Sequence, residues 1–145
     1  MKVKGIFVLV LLAVVVFSCK ETVDPTLIIT ARDSTGAALE FVTIRTHPCF
    51  EPNGFCEPEE VNINFVKKGV TDGAGQVSFK YPYSAIIEVE GRLSGMPPCD
   101  TTDTNIVWCL FYGKTVAQFE TKKIDKGDAN EYHAVVVLTP NTFIK

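Results

Sequence analysis

The chain has no segment of helical length with 3.6-residue apolar spacing, so a helical bundle is excluded. The short motifs that announce common active sites are missing too. There is no Gly-x-Ser-x-Gly, no His-Glu-x-x-His and no phosphate-cradling Gly-rich loop. Basic residues are not in excess: 14 Lys and Arg face 17 Asp and Glu, for a formal charge of −3. A mildly acidic chain lacks the footprint that nucleic acid demands, so no nucleic-acid partner is expected. Histidine is scarce, with only His47 and His133. They lie far apart in sequence, and the cysteines are spaced more widely than the close pairs of structural zinc sites. No metal and no other cofactor is therefore expected. His47, beside Pro48, reads as a loop residue; His133, among apolar neighbours, reads as a strand surface or a satisfied core position.

What is present begins at the N-terminus. Lys2 and Lys4 precede Ile6–Phe17, a run without a polar side chain. It fits the roughly 7–15-residue core of a secretory signal and falls short of the ~18–20 residues of a membrane span. The run ends at Val16-Phe17-Ser18-Cys19, which resembles the lipobox of bacterial lipoproteins: aliphatic, any residue, small, cysteine. The resemblance implies that residues 1–18 are a removed signal peptide and that Cys19 carries the lipid. Several acyl chains would hold the protein stably, at about 0.8 kcal/mol per buried CH₂. Loss of Lys2 and Lys4 takes the formal charge from −3 to −5. Residues 19–26 then form a lipidated tether. Lys20-Glu21 directly after the cysteine is similar to the charged tags of surface-exported lipoproteins of the Bacteroidetes group. The expected address is a bacterial outer membrane, on its periplasmic or cell-surface side.

Five cysteines become four when Cys19 is lipidated. An exported chain meets an oxidising compartment, where Cys49, Cys56, Cys99 and Cys109 read as two disulfides with three possible connectivities. The Pro-Asn-Gly turn between Cys49 and Cys56 favours local closure, hence 49–56 with 99–109. Cross-pairing that staples the two segments together stays open.

The rest reads as strands. Leu27–Arg32, Phe41–Thr46, Val61–Phe65, Gln76–Lys80, Ala85–Glu90, Ile106–Tyr112, Thr115–Lys122 and Tyr132–Leu138 are β-rich or alternate apolar with polar, with turn residues between them. Val42, Ile44 and Thr46 share one face of their strand, and Val77 and Phe79 point to the core. Many short strands mean an all-β, antiparallel β-sandwich of about seven strands over residues 27–139, with a tail at 140–145.

Asp33 and Gly36 in the first turn, Thr71, Asp72 and Gly75 in the second, and Val77 and Phe79 after it resemble the carboxypeptidase-regulatory-like domain, a transthyretin-like β-sandwich. The likeness covers residues 27–91 and, loosely, 115–139. Its motifs are fold signatures: the glycine is free to take φ > 0 and the aspartate to accept from nearby amides. Residues 47–60 and 92–105 are insertions on that pattern. Enzymes of transthyretin-like fold need what this chain lacks: hydroxyisourate hydrolases a Tyr-Arg-Gly-Ser ending, intradiol dioxygenases a His-x-His. The expectation is therefore a non-catalytic, lipid-anchored envelope module, binding or accessory, not an enzyme. Its partners would be the membrane, through Cys19, and an envelope protein or glycan. The alternative is a hydrolase inhibitor presenting Pro48–Pro58 as a rigid loop. Two acidic clusters, Glu51, Glu57, Glu59 and Glu60, and Asp100, Asp103 and Asn105, read as solvated loops rather than calcium sites. Trp108, within Ile106–Tyr112, reads as a core residue.

Overall fold

The computed structural model describes residues 20–49, 64–94, 106–125 and 127–144. Nine strands account for its regular structure: β1 (Lys20–Val23), β2 (Thr26–Asp33), β3 (Thr43–Cys49), β4 (Lys68–Val70), β5 (Gln76–Lys80), β6 (Ala85–Ser94), β7 (Ile106–Phe119), β8 (Lys122–Asp125) and β9 (Glu131–Ile144). Seven form one sheet in the order β4-β3-β6-β7-β9-β2-β5, and β1 and β8 form a separate ribbon. The all-β sandwich expected from the strand pattern is present. Its pairings are antiparallel except one: β2 and β9 run parallel, from Thr26↔Glu131 to Asp33↔Leu138.

β9 ties the two halves of the sandwich together. Its residues 131–138 pair with β2, and those from Thr139 onward pair with β7, as in Tyr112↔Thr139 and Leu110↔Asn141. Gly113 sits where β7 meets β9, and a Cβ there would run into the Val137 carbonyl. The outer strands β4 and β5 come nearly together. A Cβ on Gly69 would lie 2.9 Å from Val77 and 3.0 Å from Phe79, which almost closes the sheet into a barrel.

Alternation puts Leu27, Ile29 and Ala31 of β2, Ile44 of β3, Ile87 and Val89 of β6, and Val136 and Leu138 of β9 inside, all fully buried. Burying each large aliphatic chain contributes about 1.5–3 kcal/mol. Tyr81 stacks on Phe119 with ring centroids 4.6 Å apart and on Phe65 at 5.9 Å. Its hydroxyl donates to Thr46 Oγ1 at 3.0 Å, so the polar end of a buried ring has a partner. Burial pushes the Tyr81 phenol up to about 12, against a smaller downward pull from Thr46.

The two Asp-x-x-Gly turns share one construction. Asp33 Oδ1 accepts from the Thr35 amide at 2.8 Å, the Thr35 hydroxyl at 2.7 Å and the Ala37 amide at 2.9 Å. Asp72 Oδ1 accepts from the Ala74 and Gln76 amides, each at 2.9 Å. Gly36 and Gly75 take φ of 91° and 73°. Thr71 adds a long-range tie: its hydroxyl accepts from the Val42 amide at 2.9 Å and donates to the Leu39 carbonyl at 2.7 Å.

Several elements differ from the sequence reading. Asn64 and Phe65 lie in a turn, and Phe65 is buried, so the strand expected over 61–65 does not extend through them. The strand expected at 106–112 and the one expected at 115–122, as far as Phe119, are one, because Gly113 keeps the extended path while letting β9 approach; Lys122 opens β8. The polar ribbon β1–β8 shows no apolar alternation and was invisible to pattern. β9 continues through residues 140–144, where a tail was expected, and β1 and the start of β2 fall where a tether was expected.

Candidate functional site

The outward face of β3, β6 and β7 carries an unusual concentration of polar chemistry. β6 presents Glu88, Glu90 and Arg92 on alternate positions, away from the core face of Ile87, Val89 and Leu93. Register sets β7 beside them, with Tyr112 opposite Arg92 and Lys114 opposite Glu90. On the other flank β3 places His47 opposite Glu88. His47 is thus a buried strand residue at 5% exposure, not the loop residue that Pro48 led us to expect. Pro48 is accommodated because β4 pairs only with Thr43–Arg45, so β3 is locally an edge at Pro48.

Within this group Arg92 donates from Nη2 and Nε to Glu90 Oε1, at 2.7 and 3.2 Å. Lys114 Nζ donates to Glu88 Oε1 at 2.8 Å. Burial pushes the Glu90 carboxyl up. The Arg92 and Tyr112 hydrogen bonds and the charges of Arg92 and Lys114 outweigh it, and the net shift is downward. Tyr112 is pushed up by burial first and by its hydrogen bond to Glu90 next. The Tyr112 ring has Arg92 5.6 Å and Lys114 6.0 Å from its centroid, both cation–π distances. Behind it, His47 Nε2 lies 3.8 Å from Glu90 Oε2. His47 Nδ1 is buried and has no hydrogen-bond partner among the described residues.

The site is a partly exposed aromatic ring with two cations near it, each fixed by a carboxylate on the same sheet face. Such a surface offers a π-face to a flat apolar ligand surface and guanidinium and ammonium donors to an anion. A second depression, on the β2–β5 side, is shallow and open, lined by Ile28, Asp72, Gln76, Val77 and Ser78. Its one charged group, Asp72, is already committed to its own turn.

Sequence reasoning missed this face. Glu88-x-Glu90-x-Arg92 and Tyr112-x-Lys114 carry the signal, since period two puts each set on one side of its strand. The register that joins them is a tertiary fact. His133, the other histidine, is exposed on β9 opposite Ile28. Among the described residues no group of three or more His, Cys, Asp or Glu gathers where it could hold a metal.

Of the residues singled out in the sequence, Cys19, Cys56, Cys99 and both acidic clusters lie outside the described residues, as does the side chain of Trp108. Cys49 is disulfide-bonded. Backbone register limits its partner. Cys49 lies opposite Ile86, whereas Cys109 adjoins Leu110, which lies opposite Ser94. Ile86 and Ser94 are separated along β6 by roughly 26 Å, at ~3.3 Å per residue. A disulfide needs Cα atoms within about 7 Å. A Cys49–Cys109 bridge is excluded, and two of the three connectivities remain.

No family model matches the chain, and no curated protein matches it in sequence. Among solved structures it is similar to the dioxygenase domain of a dioxygenase–carbohydrate-binding fusion from Streptomyces sp. SirexAA-E, at 14% identity and a TM-score of 0.41, covering 83% of this chain and 82% of that one. It is also similar to (S)-allantoin synthase, at 14% identity and a TM-score of 0.42, covering 88% of this chain and 46% of that one. A third likeness is to chlorocatechol 1,2-dioxygenase from Pseudomonas putida, at 14% identity and a TM-score of 0.42, covering 84% of this chain and 62% of that one. These findings correct the expectation of a non-catalytic module: the solved structures that the chain resembles are of enzymes. At these scores no substrate, metal or catalytic residue carries over from them.

Proposed function

We propose that the protein is a lipid-anchored protein of a bacterial cell envelope, held through Cys19, that engages an acidic envelope glycan at Tyr112. The lipobox-like Val16-Phe17-Ser18-Cys19 supports the anchoring. The two Asp-x-x-Gly turns support kinship with carboxypeptidase-regulatory-like domains. The observation that carries the ligand is Tyr112 with Arg92 and Lys114 both within cation–π reach of its ring. A sugar ring stacks its C–H face on an aromatic, while a uronate or similar acid group pairs with a guanidinium or ammonium. Because Glu90 and Glu88 hold these cations in place, little side-chain entropy is lost when the ligand arrives. Co-sedimentation of the lipidated protein with acidic and neutral envelope polysaccharides tests this, with the soluble fraction analysed for shortened chains. Retention on acidic polysaccharide, weakened about tenfold in Y112A and reduced by salt, is expected. Equal retention of wild type and Y112A overturns it.

A further inference from the structure

The residues after the lipid-bearing cysteine are not slack. Lys20 lies opposite Asp125, Glu21 opposite Ile124, Thr22 opposite Lys123 and Val23 opposite Lys122, so β1 is hydrogen-bonded to β8 from its first residue. Below the ribbon the chain is pinned at once. Asn130 Nδ2 donates to the Val23 carbonyl at 3.0 Å and to the Glu120 carbonyl at 2.8 Å, and Asn130 itself is buried. Pro25 is fully buried and its carbonyl accepts from the Tyr81 amide at 2.9 Å. The Thr26 amide donates to the Asn130 carbonyl at 2.9 Å, which starts β2. Strand pairing over residues 20–23 and these hydrogen bonds tie the segment to the core.

We infer that β1 and β8 form a rigid stalk that seats the sandwich directly on the phospholipid headgroups at the ribbon's Lys20–Asp125 tip. The inference rests on the proposed anchoring at Cys19 and goes beyond it, because a lipid on a loose tether would fix no orientation. The occupant of this surface is the bilayer that holds the anchor, since Cys19 is covalently next to Lys20 and the acyl chains reach no further than their own leaflet. The stalk is about 10 Å long, at ~3.3 Å per residue. Its fixed direction assigns the two ends of the sandwich. Cys49, opposite Ile86 near the start of β6, lies at the membrane end. Ser94 lies at the distal end, about 30 Å along β6 from Ala85. Tyr112, opposite Arg92, stands about 23 Å along that strand, clear of the headgroups.

Lysine footprinting tests this. The mature lipoprotein is reconstituted in phosphatidylethanolamine–phosphatidylglycerol liposomes and acetylated with an amine-reactive ester, beside a variant with a flexible Gly–Ser spacer between Cys19 and Lys20. Lys20 and Lys123 should react several-fold more slowly in the wild type than in the spacer variant. Lys68, on β4, should react equally in both. Acyl mass on Cys19 with equal Lys123 rates in the two proteins overturns the docking alone. Absence of acyl mass on Cys19 overturns the anchoring, and the docking with it.

Discussion

Asp33 and Asp72 show how single residues set this fold. Each carboxylate accepts from amides two and four residues on, and each is followed by a glycine at positive φ. Replacing Asp72 by Ala leaves two amides without that acceptor and should lower unfolding stability by about 1 kcal/mol in urea titrations. Gly75 is less tolerant: Ala there would hold a left-handed φ with its Cβ 3.0 Å from the Ala31 carbonyl and the Leu39 amide. G75A should cost about 2 kcal/mol. Acid sensitivity follows from two carboxyls. The Thr35 hydroxyl and neighbouring amides hold Asp33 below its usual 3.8, and Arg92 and Tyr112 bring Glu90 below 4.5 despite burial. Both contribute stability that is present above those ordinary values and lost as pH falls through the lower folded ones. D33N and E90Q should each flatten the acid limb of a melting-temperature profile. Unchanged acid limbs in both would contradict the ion-pair and turn geometry.

Strands were legible where one face is apolar. Val42, Ile44 and Thr46 are buried together as alternation required, and Val77 and Phe79 pack against the core. β1 and β8 were not legible, because neither face of that ribbon is apolar and only backbone pairing defines it. The polar face was half legible. Alternation gives Glu88, Glu90 and Arg92 a common side, but register alone sets Tyr112 and Lys114 beside them. The β7–β9 junction depends on Gly113, whose missing Cβ lets the Val137 carbonyl approach. G113A should therefore destabilise more than G75A, since β9 must move along with its pairing to β2.

At the scale of the whole molecule, the core is stacked around Tyr81. Its phenol, pushed up to about 12, stays protonated in the folded protein where an unfolded tyrosine near 10 ionises. The folded state then holds the extra proton, so its stabilisation is complete below pH 10 and is lost as pH rises from 10 to 12. Y81F should flatten that alkaline limb while costing about 1 kcal/mol at neutral pH for the hydrogen bond to Thr46. Among the described residues the sandwich has one chemically distinctive face, that of Arg92, Tyr112 and Lys114. The proposed function rests on Tyr112 and its two cations. Calorimetric titration with a uronate-containing oligosaccharide, beside its neutral counterpart, tests this most directly. The account predicts that wild type takes the acidic sugar at least tenfold more tightly than the neutral one, and that Y112A loses this preference. Equal affinity for the two sugars, or an unchanged preference in Y112A, would contradict it.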